Sequence, residues 1–99
     1  MGRPKKCRCI ACSPGAVYFK PRGTPLTAID EVSLEPDEFE AINLADQQCL
    51  YHEEAARMMG ISRPTFGRIL TAARRKIADA IVHGKALRII ERGAEQRMN

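Results

Sequence analysis

Between Pro36 and His83 the apolar residues recur at helical spacing, and on either side of that stretch they do not. In the first part of it, Phe39, Ile42, Leu44 and Ala45 form one stripe of an amphipathic helix. Pro36 suits the first turn of that helix, Asp37, Glu38 and Glu40 complement the positive end of its dipole, and Gln47-Gln48-Cys49 ends it. A second helix is predicted from Tyr51 to Met59 and a third from Arg63 to His83, with Gly84 as the C-terminal stop. Taking about 100° per residue, Phe66, Leu70, Ala73, Ile77 and Ile81 line one face of the third helix and should turn inward. Pro64, Arg68, Thr71 and Arg75 lie opposite, with Thr65 and Ala72 beside them.

The joint between the second and third helices is the most specific local signal. Gly60 stands where the chain must turn sharply, and a residue without Cβ enters positive φ at little cost. Ala56 is small enough to let the helices approach, Ser62 is an N-cap, and Ala55, Met59, Ile61, Phe66 and Ile69 supply apolar packing. Cap, turn and apolar spacing agree on a helix-turn-helix, a mainly α fold of about three helices. Outside it, Ala16–Phe19 reads as a short strand closed by Lys20-Pro21. Glu31–Leu34 alternates weakly, as a second strand or an extended lead-in. Ala86–Ile90 is either a strand or the edge of a homodimer contact. The expected organisation is an arm at 1–15, an extended segment at 16–34, the helical domain at 35–84 and a C-terminal tail at 85–99.

Charge sharpens this picture because it is unevenly laid out. The net charge is +4, yet residues 1–22 carry Arg3, Lys5, Lys6, Arg8, Lys20 and Arg22 with no acid, and residues 30–54 carry acids with no Lys or Arg. Bases again dominate from Arg57 onward. Basic outer blocks suit a polyanion, and the third helix offers the chemistry to read one. Arg68 faces outward one turn in, where a guanidinium can bond guanine O6 and N7 together. Thr65 and Thr71 suit thymine methyls or phosphates. Arg63, placed nearer the core-facing side, and Arg75 and Lys76, together with Arg74 further along, are candidate phosphate contacts, and Pro64 completes the outer face. Gly67 and Ala72 are small enough to let the helix backbone sit deep in a groove. The arm, Gly2-Arg-Pro-Lys-Lys6, is similar to the core of an AT-hook, in which Arg-Pro lies in a narrow A·T minor groove; a nonspecific electrostatic tail is the other reading of Arg3, Lys5 and Lys6.

The cysteines leave alternatives open. No span is long and apolar enough for a membrane and no signal-peptide core precedes the arm, so a cytoplasmic address and thiols or metal ligands are expected, not disulfides. Cys7, Cys9 and Cys12 form C-x-C-x-x-C, and Cys49-Leu-Tyr-His52 repeats the x-x spacing with a nitrogen ligand. Free thiols, a zinc site of Cys9, Cys12, Cys49 and His52, and an iron–sulfur or redox site all fit that spacing. Catalysis is not expected: the chain has no Ser–His–Asp arrangement, no phosphate-cradling glycine loop and no helical H-E-x-x-H. A different class of reading is an adaptor that docks on transcription machinery, RNA polymerase included, through the acidic block 30–54.

The span Leu34–Ile77 resembles region four of bacterial sigma factors: an acidic helix, Glu53-Glu-Ala-Ala-Arg, Gly60-Ile-Ser-Arg, then an Arg-rich helix. Nearly the whole chain resembles a small uncharacterised prokaryotic family, domain of unknown function one hundred and thirty-four. That likeness is carried by Gly2-Arg-Pro-Lys, Tyr18-Phe-Lys-Pro, Leu44-Ala-Asp, Glu53-Glu-Ala-Ala, Gly60-Ile-Ser-Arg, Thr65-Phe-Gly-Arg-Ile-Leu, Ala73-Arg-Arg-Lys and Gly84-Lys-Ala-Leu-Arg. The resemblance implies a helix-turn-helix fold and double-stranded DNA as partner, with no catalytic residues and no target sequence. The linker departs from the family pattern, with Cys49 and His52 in place of Gly and Gln.

Overall fold

The structure, a computed structural model, describes residues 17–91. Three helices sit between the strands of a small sheet. Strand β1 is Tyr18–Phe19 and β2 is Glu31–Leu34. Helix α1 is Pro36–Ile42, continued by a π-helical turn at Asn43–Gln47; α2 is His52–Met59; α3 is Arg63–His83; β3 is Ala86–Ile89. The strand order is β1-β3-β2, with β1 antiparallel and β2 parallel to β3. Leu34 pairs with Ile89 in the parallel register, so the strand that enters the helical unit lies beside the one that leaves it.

The third helix is the element every layer shares. Phe66 and Leu70 join Ala41, Leu44, Ala55 and Ala56 in a core between the helices. Ala73 joins Leu34 and Ile89 in a second core between helix and sheet, with Phe39, Ile77 and Leu87 packed against it. Ile42 packs against both. One carboxylate ties the two ends of this arrangement together. Glu38 Oε1 accepts the Glu35 amide at 2.8 Å, which closes the first turn of α1, and also accepts Lys76 Nζ of α3 at 2.8 Å. The same ammonium donates to the Ser33 carbonyl of β2 at 2.8 Å.

The α2–α3 joint has the local geometry its residues favour. Gly60 is left-handed at φ 72, its amide donating back to Ala56 and Arg57, and the Ile61 amide reaches the Ala56 carbonyl at 3.0 Å. Gly84 closes α3 in the same conformation at φ 64. The α1–α2 linker uses a costlier solution, because Cys49 adopts φ 59, a region glycine enters far more easily.

Several expectations are corrected. Of the two readings open for Ala86–Ile90 the strand holds, and residues 86–89 are the central strand, not part of a tail; the extended segment before residue 35 supplies its two neighbours. Strand and helices therefore make one unit, not a helical domain with appendages. Ile81 is 75% exposed, and Ala80 takes the inward place instead, because it lies seven residues, two helical turns, after the buried Ala73 on the same face. Glu38 and Glu40, expected only to face the dipole, are buried.

Candidate functional site

Cations along α3 divide into two sets. On its flanks they are held by the chain itself. Arg74 Nη2 and Nε grip Asp46 Oδ1 and Oδ2 at 2.6 and 3.1 Å, a two-bond fork onto the π-helical turn. That fork holds the Asp46 carboxyl below its ordinary pKa. Lys76, expected on phosphates, is instead half-buried between Glu38 and Ser33. The reason is visible in its register: Ile69, Ala73, Lys76 and Ala80 follow one another at spacings of four, three and four, so Lys76 belongs to the inward stripe.

On the outer face the cations meet no carboxylate among the described residues. Pro64, Arg68, Thr71 and Arg75 are all exposed there. Arg63, at the first position of the helix, is exposed as well. Among the described residues the one side-chain hydrogen bond of Arg68 is from Nη2 to Thr65 Oγ1 at 3.4 Å. Thr65 itself sits in the first turn, its amide donating to the N-cap Ser62 Oγ at 3.3 Å. Behind this face, Phe66 is fully buried and Ile61 packs on the same core as Ala56, so the outer stripe is mounted on a rigid base. The last turn of the helix is different in kind, with Val82 71% exposed beside Ile81. Such a face can present guanidinium donors and a threonine hydroxyl to an acceptor-rich or anionic partner.

Gly67 lies near the same face. A Cβ built there meets nothing within 4 Å, so no neighbour in the described chain requires a glycine at this position.

The metal-ligand candidates divide differently. Cys49 is exposed, its Sγ 3.9 Å from the Asp46 carbonyl, and His52 opens α2 with its ring edge-on to Phe66, centroids 5.3 Å apart. Among the described residues no group of three or more His, Cys, Asp or Glu side chains comes together. Cys7, Cys9 and Cys12, like Arg3, Lys5 and Lys6 of the arm, lie outside the described residues. No helix among the described residues is long and apolar enough to cross a membrane.

The family described as "Protein of unknown function DUF134" matches residues 1–99. The chain belongs to that family. It is 52% identical over 89 residues to the UPF0251 protein of Thermoanaerobacter pseudethanolicus, covering 90% of this chain and 75% of that one. Identity to the UPF0251 protein of Desulfosudis oleivorans is 55% over 89 residues, covering 90% of this chain but 64% of the relative, which extends beyond the match. The UPF0251 protein of Shewanella pealeana is 51% identical over 87 residues, with 88% of this chain and 91% of the relative covered. No solved structure matches the chain.

Proposed function

We propose that this DUF134 family member binds duplex DNA in a sequence-dependent way, as a transcriptional regulator. In this reading α2, the Gly60 turn and α3 act as a helix-turn-helix of the sigma-region-four kind, and the outer stripe of α3 lies in the major groove. The division of cations along α3 carries the reading. Arg74 and Lys76 have carboxylates of the same chain, whereas Arg68 and Arg75 have none among the described residues and share one exposed face. Those two arginines are seven positions apart, roughly 10.5 Å along the helix axis, a span that fits within the major groove, about 12 Å wide. Arg68, in the second turn, reads a base edge; Arg63 and Arg75 contact phosphates; Thr71 meets a thymine methyl. Gly67 supports the same placement. A glycine inside a helix costs about 0.5–1 kcal/mol relative to alanine, and a groove wall close to the backbone accounts for one that the fold does not need. Arg3, Lys5 and Lys6 would add phosphate or minor-groove contacts from the arm.

The adaptor reading gains no support from the acidic block. Glu38 and Glu40 are buried and Asp46 is held by Arg74, whereas Asp30, Glu31, Glu35 and Glu53 are exposed, scattered over β2, the start of α1 and α2 and not gathered on one face.

Fluorescence anisotropy of the full chain against a random-sequence duplex pool, repeated over a salt series, tests the proposal. Binding should weaken as salt rises, with a slope near −0.9 for each phosphate neutralised. Arg68→Ala with Arg75→Ala should abolish selection of a preferred sequence while leaving the melting temperature unchanged. Absence of duplex binding, or a double variant that selects as well as the unmodified protein, would refute it.

A further inference from the structure

At the start of α3 two side-chain bonds exist that a helix cap does not need. The cap itself is the backbone amide of Thr65 donating to Ser62 Oγ. In addition, the Ser62 hydroxyl donates its own hydrogen to Thr65 Oγ1 at 2.8 Å. The same Thr65 oxygen receives Arg68 Nη2 from the next turn. A hydroxyl oxygen has two acceptor sites, so both bonds are made at once. Ser62, Thr65 and Arg68 thus form a continuous chain from the turn to the outer face. The α3 geometry favours it, because helical side chains lean toward the N-terminus and residues three apart lie one above the other.

We infer that Thr65 is a positioning residue for sequence reading: its hydroxyl draws the Arg68 guanidinium back over the first turn and fixes the direction in which its remaining donors face one base pair. This deepens the reading of α3 as a DNA-recognition helix and rests on it. The partner it selects is a guanine, whose O6 and N7 accept two parallel N–H bonds. Arg68 carries five N–H donors, so engaging one on Thr65 leaves enough for that pair. An untethered arginine settles on phosphate or base alike and loses its rotamer freedom at the moment of binding. A tethered one has already lost part of it, and is aimed.

Thr65→Val tests the inference cleanly, because it removes the hydroxyl but keeps the amide that caps on Ser62. Thr65→Ser keeps the hydroxyl, and Thr65→Ala repeats the deletion without a branched side chain. Each full-length variant is titrated, at fixed ionic strength, with the duplex best bound from a random pool, with all its single-base-pair variants, and with a random duplex. Thr65→Val and Thr65→Ala should lower the preference for guanine at one base pair by about threefold to tenfold, the same base pair at which Arg68→Ala loses its preference. Random-duplex binding, the salt slope and thermal melting should stay as they were, and Thr65→Ser should retain the full preference. An unaltered preference in Thr65→Val overturns the inference. So does an equal loss on every duplex, which would make Thr65 a backbone contact, and so does a Thr65→Ser variant as impaired as Thr65→Val. If the unmodified protein binds no duplex, the reading of α3 falls and this inference with it; every other adverse result removes the inference alone.

Discussion

The flanks and the outer face of α3 carry the same residue types under different rules. On the flanks each cation answers to an atom of its own chain: Arg74 to Asp46 on one side, Lys76 to Glu38 and Ser33 on the other. On the outer face Arg68 and Arg75 answer to no carboxylate among the described residues, and Gly67 relieves no contact within them. A charged helix surface is therefore not one surface. The flank charges orient α3 against α1 and β2, and that rigid mounting gives the outer residues fixed positions.

The largest effect should come from the inner of these cations. Lys76→Met leaves Glu38, whose side chain is only 11% exposed, without its ammonium, and removes the side-chain donor from the Ser33 carbonyl. The expected loss is about 1–2 kcal/mol in urea unfolding, reduced from the fully buried case because Lys76 itself is partly solvated. Duplex affinity per folded molecule should hold within about twofold. Stability left intact alongside weakened binding would return Lys76 to the interface and blur the comparison. Gly67→Ala sharpens it from the other side. Alanine is the better helix former and its methyl meets open space, so the fold should gain about 0.5–1 kcal/mol while duplex binding weakens. A variant both more stable and equally competent would mean that the outer face does not need close backbone approach.

The helical part of this fold was legible because its signals are local. The bounds of α3 follow from Ser62, Pro64 and Gly84, and the buried set of Phe66, Leu70 and Ala73 follows from periodicity alone. The three strands were legible as candidates, but their pairing was not, because the match of Glu31–Leu34 with Ala86–Ile89 spans the whole helical unit and leaves no turn residue to announce it. Among the cations, Arg68 and Arg75 could be placed from the wheel, and so could Lys76, whose position after Ile69 and Ala73 put it inward. Its charge argued for the surface, and packing overruled charge. Asp46, twenty-eight residues before Arg74, carried no signal of its partner, since only the folding of α1 onto α3 brings them together.

The smallest effect is expected at that last pair, and it is the most discriminating in pH. Both side chains of the Arg74–Asp46 fork are well exposed, at 53% and 40%, so Arg74→Ala should cost no more than ~0.5 kcal/mol near neutrality. The hydrogen bond from Arg74 lowers the Asp46 pKa in the folded protein. A carboxyl lowered on folding contributes in full above its ordinary value of 3.8 and loses that contribution as pH falls through its folded value. The stability gap between the unmodified protein and Arg74→Ala should therefore be present at pH 6 and close as the pH is taken below 3.8. Asp79 has the same sign of dependence, lowered by hydrogen bonds from Lys85 and then His83, but it is common to both proteins and cancels in the difference. In duplex binding Arg74→Ala should leave the salt slope unchanged, where loss of Arg75 reduces it by about one phosphate's worth. Equal slopes for the two variants would mean that the Asp46 fork opens on DNA, and that the flank of α3 is part of the face.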